Sequence, residues 1–215
     1  MKTNTRIILK KISISFLLLL VCRCCFAGSA GEPTIFGGWS DLTNTPYQHM
    51  GLRARLVVSE DADVSNSRTA MVYLELQNTT AAVNTMYVWY SPVNFDSTNS
   101  LRCELRDSSG KTVPSSWCGY ADGPMSEARW LALPGDSILR FRCLPLGNGL
   151  TATNGELLVV AGWDCWHIPQ SDTNDYYLSG TLSLSLPKAE TRPWTWHGTL
   201  KLPPVKIPAK NLSGK

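Results

Sequence analysis

Beyond residue 50 the chain alternates apolar and polar positions with a period of two. The clearest run is Leu101-Arg102-Cys103-Glu104-Leu105-Arg106, and Leu139-Arg140-Phe141-Arg142-Cys143 repeats it. Such alternation puts every second side chain on one face of a strand, apolar inward and charged outward. Strands are predicted at 52–58, 70–77, 86–90, 101–106, 137–143, 156–163, 177–186 and 195–202. Between them lie turn clusters: Asp107-Ser108-Ser109-Gly110, Pro134-Gly135-Asp136, Gly147-Asn148-Gly149 and Thr153-Asn154-Gly155. Helical periodicity is nearly absent, so the pattern predicts an antiparallel β-sandwich over residues 34–208 and not alternating βα units. The tail Pro203-Pro204-Val205-Lys206-Ile207-Pro208 is too rich in proline for a central strand and is expected at an edge or as an extended arm. Residues 28–33 form a short lead-in and 209–215 a tail.

The N-terminus has a different character. Basic residues up to Lys11 precede the apolar run Ile12–Val21, and small residues follow: Cys25-Phe26-Ala27, then Gly28-Ser29-Ala30. Residues 1–27 therefore read as a secretory signal peptide, with the mature chain starting at Gly28 or Gly31. The apolar run is about half the roughly 20 residues needed to span a bilayer, so no membrane span is expected after cleavage. Lipoprotein anchoring at Cys22 is disfavoured, because Val21 is too large for the small residue expected before a lipidated cysteine.

Charge changes sign once the signal is removed. The whole chain of 215 residues carries +3, but Lys2, Arg6, Lys10, Lys11 and Arg23 account for five of its 20 basic residues. The remainder has about −2, too close to neutral to steer the protein onto nucleic acid or an anionic membrane. Export also organises the cysteines. Cys22, Cys24 and Cys25 leave with the signal, and Cys103, Cys118, Cys143 and Cys165 stay. Four cysteines in an oxidising compartment suggest two disulfides, and their spacing fits no standard zinc site. Cys103 and Cys143 occupy apolar-face positions, whereas Cys118 and Cys165 lie beside tryptophans in loop-like stretches. Pairing 103–143 with 118–165 is therefore favoured among three connectivities.

Three segments follow one another in order: Leu74-Glu75-Leu76-Gln77-Asn78-Thr79-Thr80, Leu105–Lys111 and Leu133-Pro134-Gly135-Asp136-Ser137-Ile138-Leu139-Arg140-Phe141. This layout resembles immunoglobulin-like sandwiches of the kind found in BsuPI-type proteinase-inhibitor domains. With Tyr176-Tyr177-Leu178-Ser179-Gly180-Thr181 and Trp196–Pro204, the chain also resembles uncharacterised exported proteins of planctomycete-like bacteria. The resemblance spans residues 70–208 and implies an exported immunoglobulin-like fold. It brings no catalytic residues and no reactive loop.

Candidate chemistry is sparse. The histidines are His49, His167 and His197, and no nucleophile elbow, HExxH, Walker loop or dinucleotide motif is present. Cys165-Trp166-His167 offers a thiol and an imidazole, but neighbouring strand positions point opposite ways, and an exported thiol is prone to oxidation. Asp61 and Asp63 lack the further oxygens a calcium site needs. Arg102 and Arg106 form a basic ridge with Arg140 and Arg142 if their strands are neighbours. Tyr176, after the acidic turn Asp172–Asp175, is a tyrosine-corner candidate, its hydroxyl bonding back to upstream backbone. No enzyme activity, cofactor or metal is expected.

The eight tryptophans, Trp39, Trp89, Trp117, Trp130, Trp163, Trp166, Trp194 and Trp196, are the best functional lead. A sandwich core uses a few, and several others sit beside turns or prolines. Trp194 and Trp196 share one face of the final strand, about 7 Å apart. They either stack on a sugar chain or cap the core. The expected function is a non-catalytic binding or structural module of the cell envelope, its partner an envelope protein or a polysaccharide. A carbohydrate-binding module and a proteinase inhibitor are the alternatives.

Overall fold

The computed structural model describes residues 34–42, 51–61, 68–90, 100–117, 127–143, 155–187 and 195–208. These residues are all β-structure and connecting turns, in twelve strands: β1 (Thr34–Phe36), β2 (Leu52–Asp61), β3 (Arg68–Asn78), β4 (Asn84–Tyr90), β5 (Leu101–Asp107), β6 (Ser116–Trp117), β7 (Glu127–Leu133), β8 (Ser137–Arg142), β9 (Glu156–Ala161), β10 (Asp164–Pro169), β11 (Asp175–Leu184) and β12 (Gly198–Pro208). The signal segment, His49, Asp63, Cys118 and Trp194 lie outside the described residues. Among the described residues no helix is long and apolar enough to cross a membrane.

Three sheets share one core. The largest runs β1-β2-β3-β9-β10-β6, with β8 also paired to β3; a second runs β12-β11-β5; the third is the pair β4-β7. Alternation assigns the faces. Leu52, Ala54, Leu56 and Val58 of β2 and Val72, Leu74 and Leu76 of β3 are buried, as are Leu101 and Leu105 of β5 and Leu178 and Leu182 of β11. These side chains form one apolar cluster with Met86, Val88 and Leu133 of the small sheet.

Four strands go beyond the sequence pattern: β1, β6, β7 and β10. The expected strand 156–163 instead ends at Ala161, and Gly162-Trp163 makes a two-residue turn into β10. Gly162 has φ 68° while Trp163 keeps a negative φ, the arrangement of a II′ hairpin with glycine first. One pair departs from antiparallel order: β9 runs parallel to β3 beside residues 68–71, while β8 pairs antiparallel with residues 73–78 of the same strand. The two strands thus lie end to end along β3, and Gly162 N–H donates to Cys143 O across the junction (2.9 Å).

The expected edge position of the proline-rich tail is observed. β12 borders its sheet, and its register against β11 slips between Leu178 and Gly180. Pro203 and Pro204 fall in that slip, where a bulge relieves them of ladder bonds they cannot donate.

Two polar devices fix the frame. Glu75, only 4% exposed, lies on the outer face of β3 between Arg55 of β2 and Arg140 of β8, each directly opposite it in register and each 2.6 Å away. Phe36 and Trp39 cover the Arg55 guanidinium, at 4.6 and 4.2 Å from its carbon to the ring centres. Asn78, fully buried, ties the loop after β3 to the turn after β7. Its Nδ2 donates to Ala82 O (2.7 Å), Leu133 O and Pro134 O (both 3.1 Å), and its Oδ1 accepts from Thr80 N, Thr80 Oγ1 and Asn84 Nδ2. The same junction requires Gly135, where a Cβ would lie 2.2 Å from Ala81 O.

Tyr176 is buried at the start of β11, and its hydroxyl donates upstream to Asp172, as a tyrosine corner would. The acceptor, however, is the Oδ2 carboxylate oxygen at 2.6 Å and not backbone. The acidic turn supplies a stronger, charged acceptor in place of a carbonyl.

Asn78→Ala strands several buried donors and acceptors at once, and is expected to lower unfolding free energy by about 2–3 kcal/mol in urea titration. An unchanged midpoint would show the junction to be held by packing alone. Burial and the Asp172 hydrogen bond push the Tyr176 hydroxyl up to about 12, while that bond pulls the Asp172 carboxyl down. The tyrosine contribution is then complete below the ordinary phenol pKa near 10 and is lost as pH rises through about 12. The aspartate contribution is complete above the ordinary carboxylate range and lost as pH falls below it. Phenolate absorbance should contain a component with a midpoint near 12 that Tyr176→Phe removes; a wild-type titration complete by pH 11 would contradict the bond.

Candidate functional site

The six tryptophans whose side chains are described divide sharply. Trp166 and Trp196 are 2% and 1% exposed. Trp39 lies over Arg55, and Trp130 meets Tyr87, its partner across β4 and β7, at 5.2 Å with a tilt of 57°. The remaining two, Trp117 and Trp163, stack on each other with ring centres 5.7 Å apart and planes within 4° of parallel. Trp117 is 68% exposed, the most exposed of the large apolar side chains described.

Trp196 therefore fails as a stacking residue. It has the same parity as Leu200 and Leu202, both buried, and its backbone N–H donates to Thr85 O (2.8 Å), which docks the run before β12 onto β4 with the indole inward. That parity was readable in the sequence.

The Trp117–Trp163 pair stands where two sheet edges meet. β6 ends the large sheet and β5 ends the second one. The chain crosses between them in residues 111–117. Thr112 bridges Arg106 of β5, and Val113 N–H donates to Leu105 O (2.8 Å). Val113 O then accepts from the buried Trp166 indole of β10 (3.1 Å), and Ser116 and Trp117 pair with Cys165 and Asp164. Trp117 thus arrives opposite Asp164, one residue past the turn that presents Trp163.

Beside this crossing lies a cavity of about 670 Å³ lined by Leu101, Arg102, Cys103, Ser115, Trp117, Trp163 and Asp164. Ser115 Oγ donates to Asp164 Oδ1 (3.0 Å), holding the carboxylate at the rim. Cys103 is half-buried opposite Gly180 of β11, where a Cβ would sit 3.4 Å from the sulfur, in ordinary contact. Burial, with a smaller contribution from the nearby Asp164 charge, pushes the Cys103 thiol up to about 12, so it is protonated at neutral pH. Cys143 is also raised well above the ordinary thiol value, by burial first and then by the proximity of Cys103.

The other candidates are dispersed. Cys103, Cys143 and Cys165 are free thiols here, with no bridge between 103 and 143. Cys165 and His167 share one face of β10, being two residues apart, which corrects the expectation that they oppose each other. They are nonetheless separately engaged: Cys165 Sγ lies 3.2 Å from Ser116 Oγ, and His167 Nδ1 lies 3.0 Å from Glu156 Oε2. His197 Nδ1 sits 3.3 Å from Thr195 O. The basic ridge is not formed, because Arg102 and Arg106 belong to the second sheet and Arg140 and Arg142 to the large one. Among the described residues no cluster of three or more His, Cys, Asp or Glu is arranged to hold a metal.

No family model, no curated protein and no solved structure matches this chain.

Proposed function

We propose that this chain is an exported, disulfide-bonded, immunoglobulin-like sandwich that acts by binding, and that its binding site is the cleft of Trp117, Trp163, Arg102, Ser115 and Asp164. The observation that carries the reading is the exposed Trp117 indole, stacked parallel on Trp163 at the mouth of a cavity. Exposing a large aromatic surface costs hydrophobic free energy, about 25 cal/mol for each Å² left in water. A protein that spends two tryptophans on an open cleft, with a carboxylate and a guanidinium beside them, has the make-up of a recognition site.

Binding is favoured over catalysis because Cys103 offers no nucleophile: in a bridge it has no thiol, and reduced its thiol is pushed up to about 12, while the histidines described are engaged elsewhere. The aromatic mouth also favours a ligand cleft over the rigid projecting loop of a proteinase inhibitor.

Export is supported by the basic, apolar and small-residue order of residues 1–27. For the bridges, Cys103 packs against the core cluster that contains Cys143, both being free thiols in this structure, while the partner expected for Cys165, Cys118, lies outside the described residues. The immunoglobulin-like description is supported by antiparallel sheets around one core and by a tyrosine bonded upstream at the start of a late strand.

The cleft is tested by Trp117→Ala. Its side chain is mostly in solvent, so the variant should fold and lose only about 1 kcal/mol from the ring pair. Immobilised wild type should retain material from an envelope extract that immobilised Trp117→Ala does not; equal retention by both would remove the cleft from the reading. For the bridges, non-reducing peptide mapping of exported protein should find 103–143 and 118–165 linked, with the mature mass starting at Gly28 or Gly31. Four free thiols there would refute both the bridges and the compartment.

A further inference from the structure

The lining of the cleft narrows its ligand. Resting on the cleft reading above, we infer that the site takes an uncharged glycan, a pyranose ring lying on Trp117 with its hydroxyls toward Asp164, Arg102 and Ser115.

The platform is flat, apolar and held in plane. Trp163 comes from a two-residue turn and Trp117 from the end of the crossing segment, and their parallel stack resists rotation of either ring. A pyranose is amphipathic in a complementary way. One face is a patch of C–H groups that suits an indole, and its rim carries hydroxyls that each donate and accept. A rim of that kind needs mixed partners. Asp164 is an acceptor only and Arg102 a donor only, while Ser115 serves as either. Ser115 occupies one lone pair of the Asp164 carboxylate, and roughly three acceptor sites are left.

Charge decides which sugars. Of the seven described lining residues, two are charged and of opposite sign, and Cys103 is uncharged either as a thiol or in a bridge. A uronate or sulfated polymer needs surplus cations, and an amino sugar needs surplus carboxylate. The balanced pair offers neither, and suits a neutral ring. The volume of about 670 Å³ lies inside the roughly 300–1,000 Å³ of small-molecule sites. Its place along two sheet edges, with no strand closing the gap on that side among the described residues, leaves room for a chain to continue past the bound ring.

The test is affinity electrophoresis of the full mature chain, disulfides intact, through gels cast with neutral β-glucan, mannan or xylan, with polyuronate, or with chitosan. A proline-rich peptide is measured separately by fluorescence titration. Wild type should be retarded by at least one neutral polysaccharide. Trp117→Ala should weaken that retardation at least tenfold with little change in melting temperature, Trp117→Phe should keep part of it, and added salt should matter little. Retention on polyuronate or chitosan alone, or binding of the peptide alone, overturns the neutral-glycan inference; if Trp117→Ala abolishes that binding, the cleft reading survives. Binding to none of the three neutral polymers overturns the inference too. Retardation equal in wild type and Trp117→Ala overturns inference and cleft reading together.

Discussion

Val113 is the hinge on which the functional side of this molecule hangs. Its N–H completes the edge of β5 and its carbonyl caps the buried indole of Trp166, so one residue binds both sheets. The indole N–H of a buried tryptophan must find an acceptor or incur a desolvation penalty. Here the acceptor comes from the opposite sheet, and the crossing segment has to pass over the core to supply it. Pro114 follows at once and has no N–H that would need a partner in mid-crossing. Where Ser116 then joins β10 is set by that fixed point, and with it the position of Trp117 over Trp163.

The large sheet shows how charge is tolerated inside such a frame. Glu75 would be costly to bury alone, but the register places an arginine directly opposite on either side. Two guanidiniums and one carboxylate leave a positive excess, and the rings of Phe36, Trp39 and Tyr73 lie close enough to share it. Removing Glu75 would leave two partly buried guanidiniums facing each other without their shared carboxylate, whereas removing one arginine leaves Glu75 paired with the other. This ladder locks β2, β3 and β8 in one register. Asn78 does the corresponding work where β3 and β7 end, with neutral groups.

Much of the frame was legible because period-two alternation survives wherever a strand has one wet face. β5 and β8 read correctly for this reason, and Arg140 pointed outward as expected. β9 was legible as a strand only; the structure buries both its faces, Leu158 and Val160 packing with Met71 and Cys165 in a second cluster. The failures have local causes. Glu127–Leu133 has residues that suit helix as well as strand, and only pairing to β4 decides. β6 is two residues long and is defined by its partner. At Gly162-Trp163 one glycine makes a turn inside an apolar run, where the usual cluster of polar turn residues is missing. The site was half legible. Surplus tryptophan beside turns marked the right residue type, yet Trp196 carried the parity of Leu200 and Leu202, and Trp117 stood among Pro114, Ser115 and Ser116 with no alternating neighbours to bury it.

An open sheet edge is a hazard, because unpaired backbone groups invite another strand. Among the described residues two such edges lie side by side, on β5 and β10. The crossing segment covers part of each: Thr112 and Val113 occupy the end of β5, and Ser116 and Trp117 the start of β10. The same segment cannot pair fully with both, since it must span the gap between sheets. What the described residues leave uncovered, beside Leu101 to Cys103, is the cleft. The site therefore does not need a pocket carved into the core. It arises where edge protection is incomplete, and the tryptophans stand on the two short elements that provide it. In the proposed reading, recognition and protection of the edge share one piece of chain, so a ligand stacked on Trp117 would also shield the strand edge that the described segment leaves open.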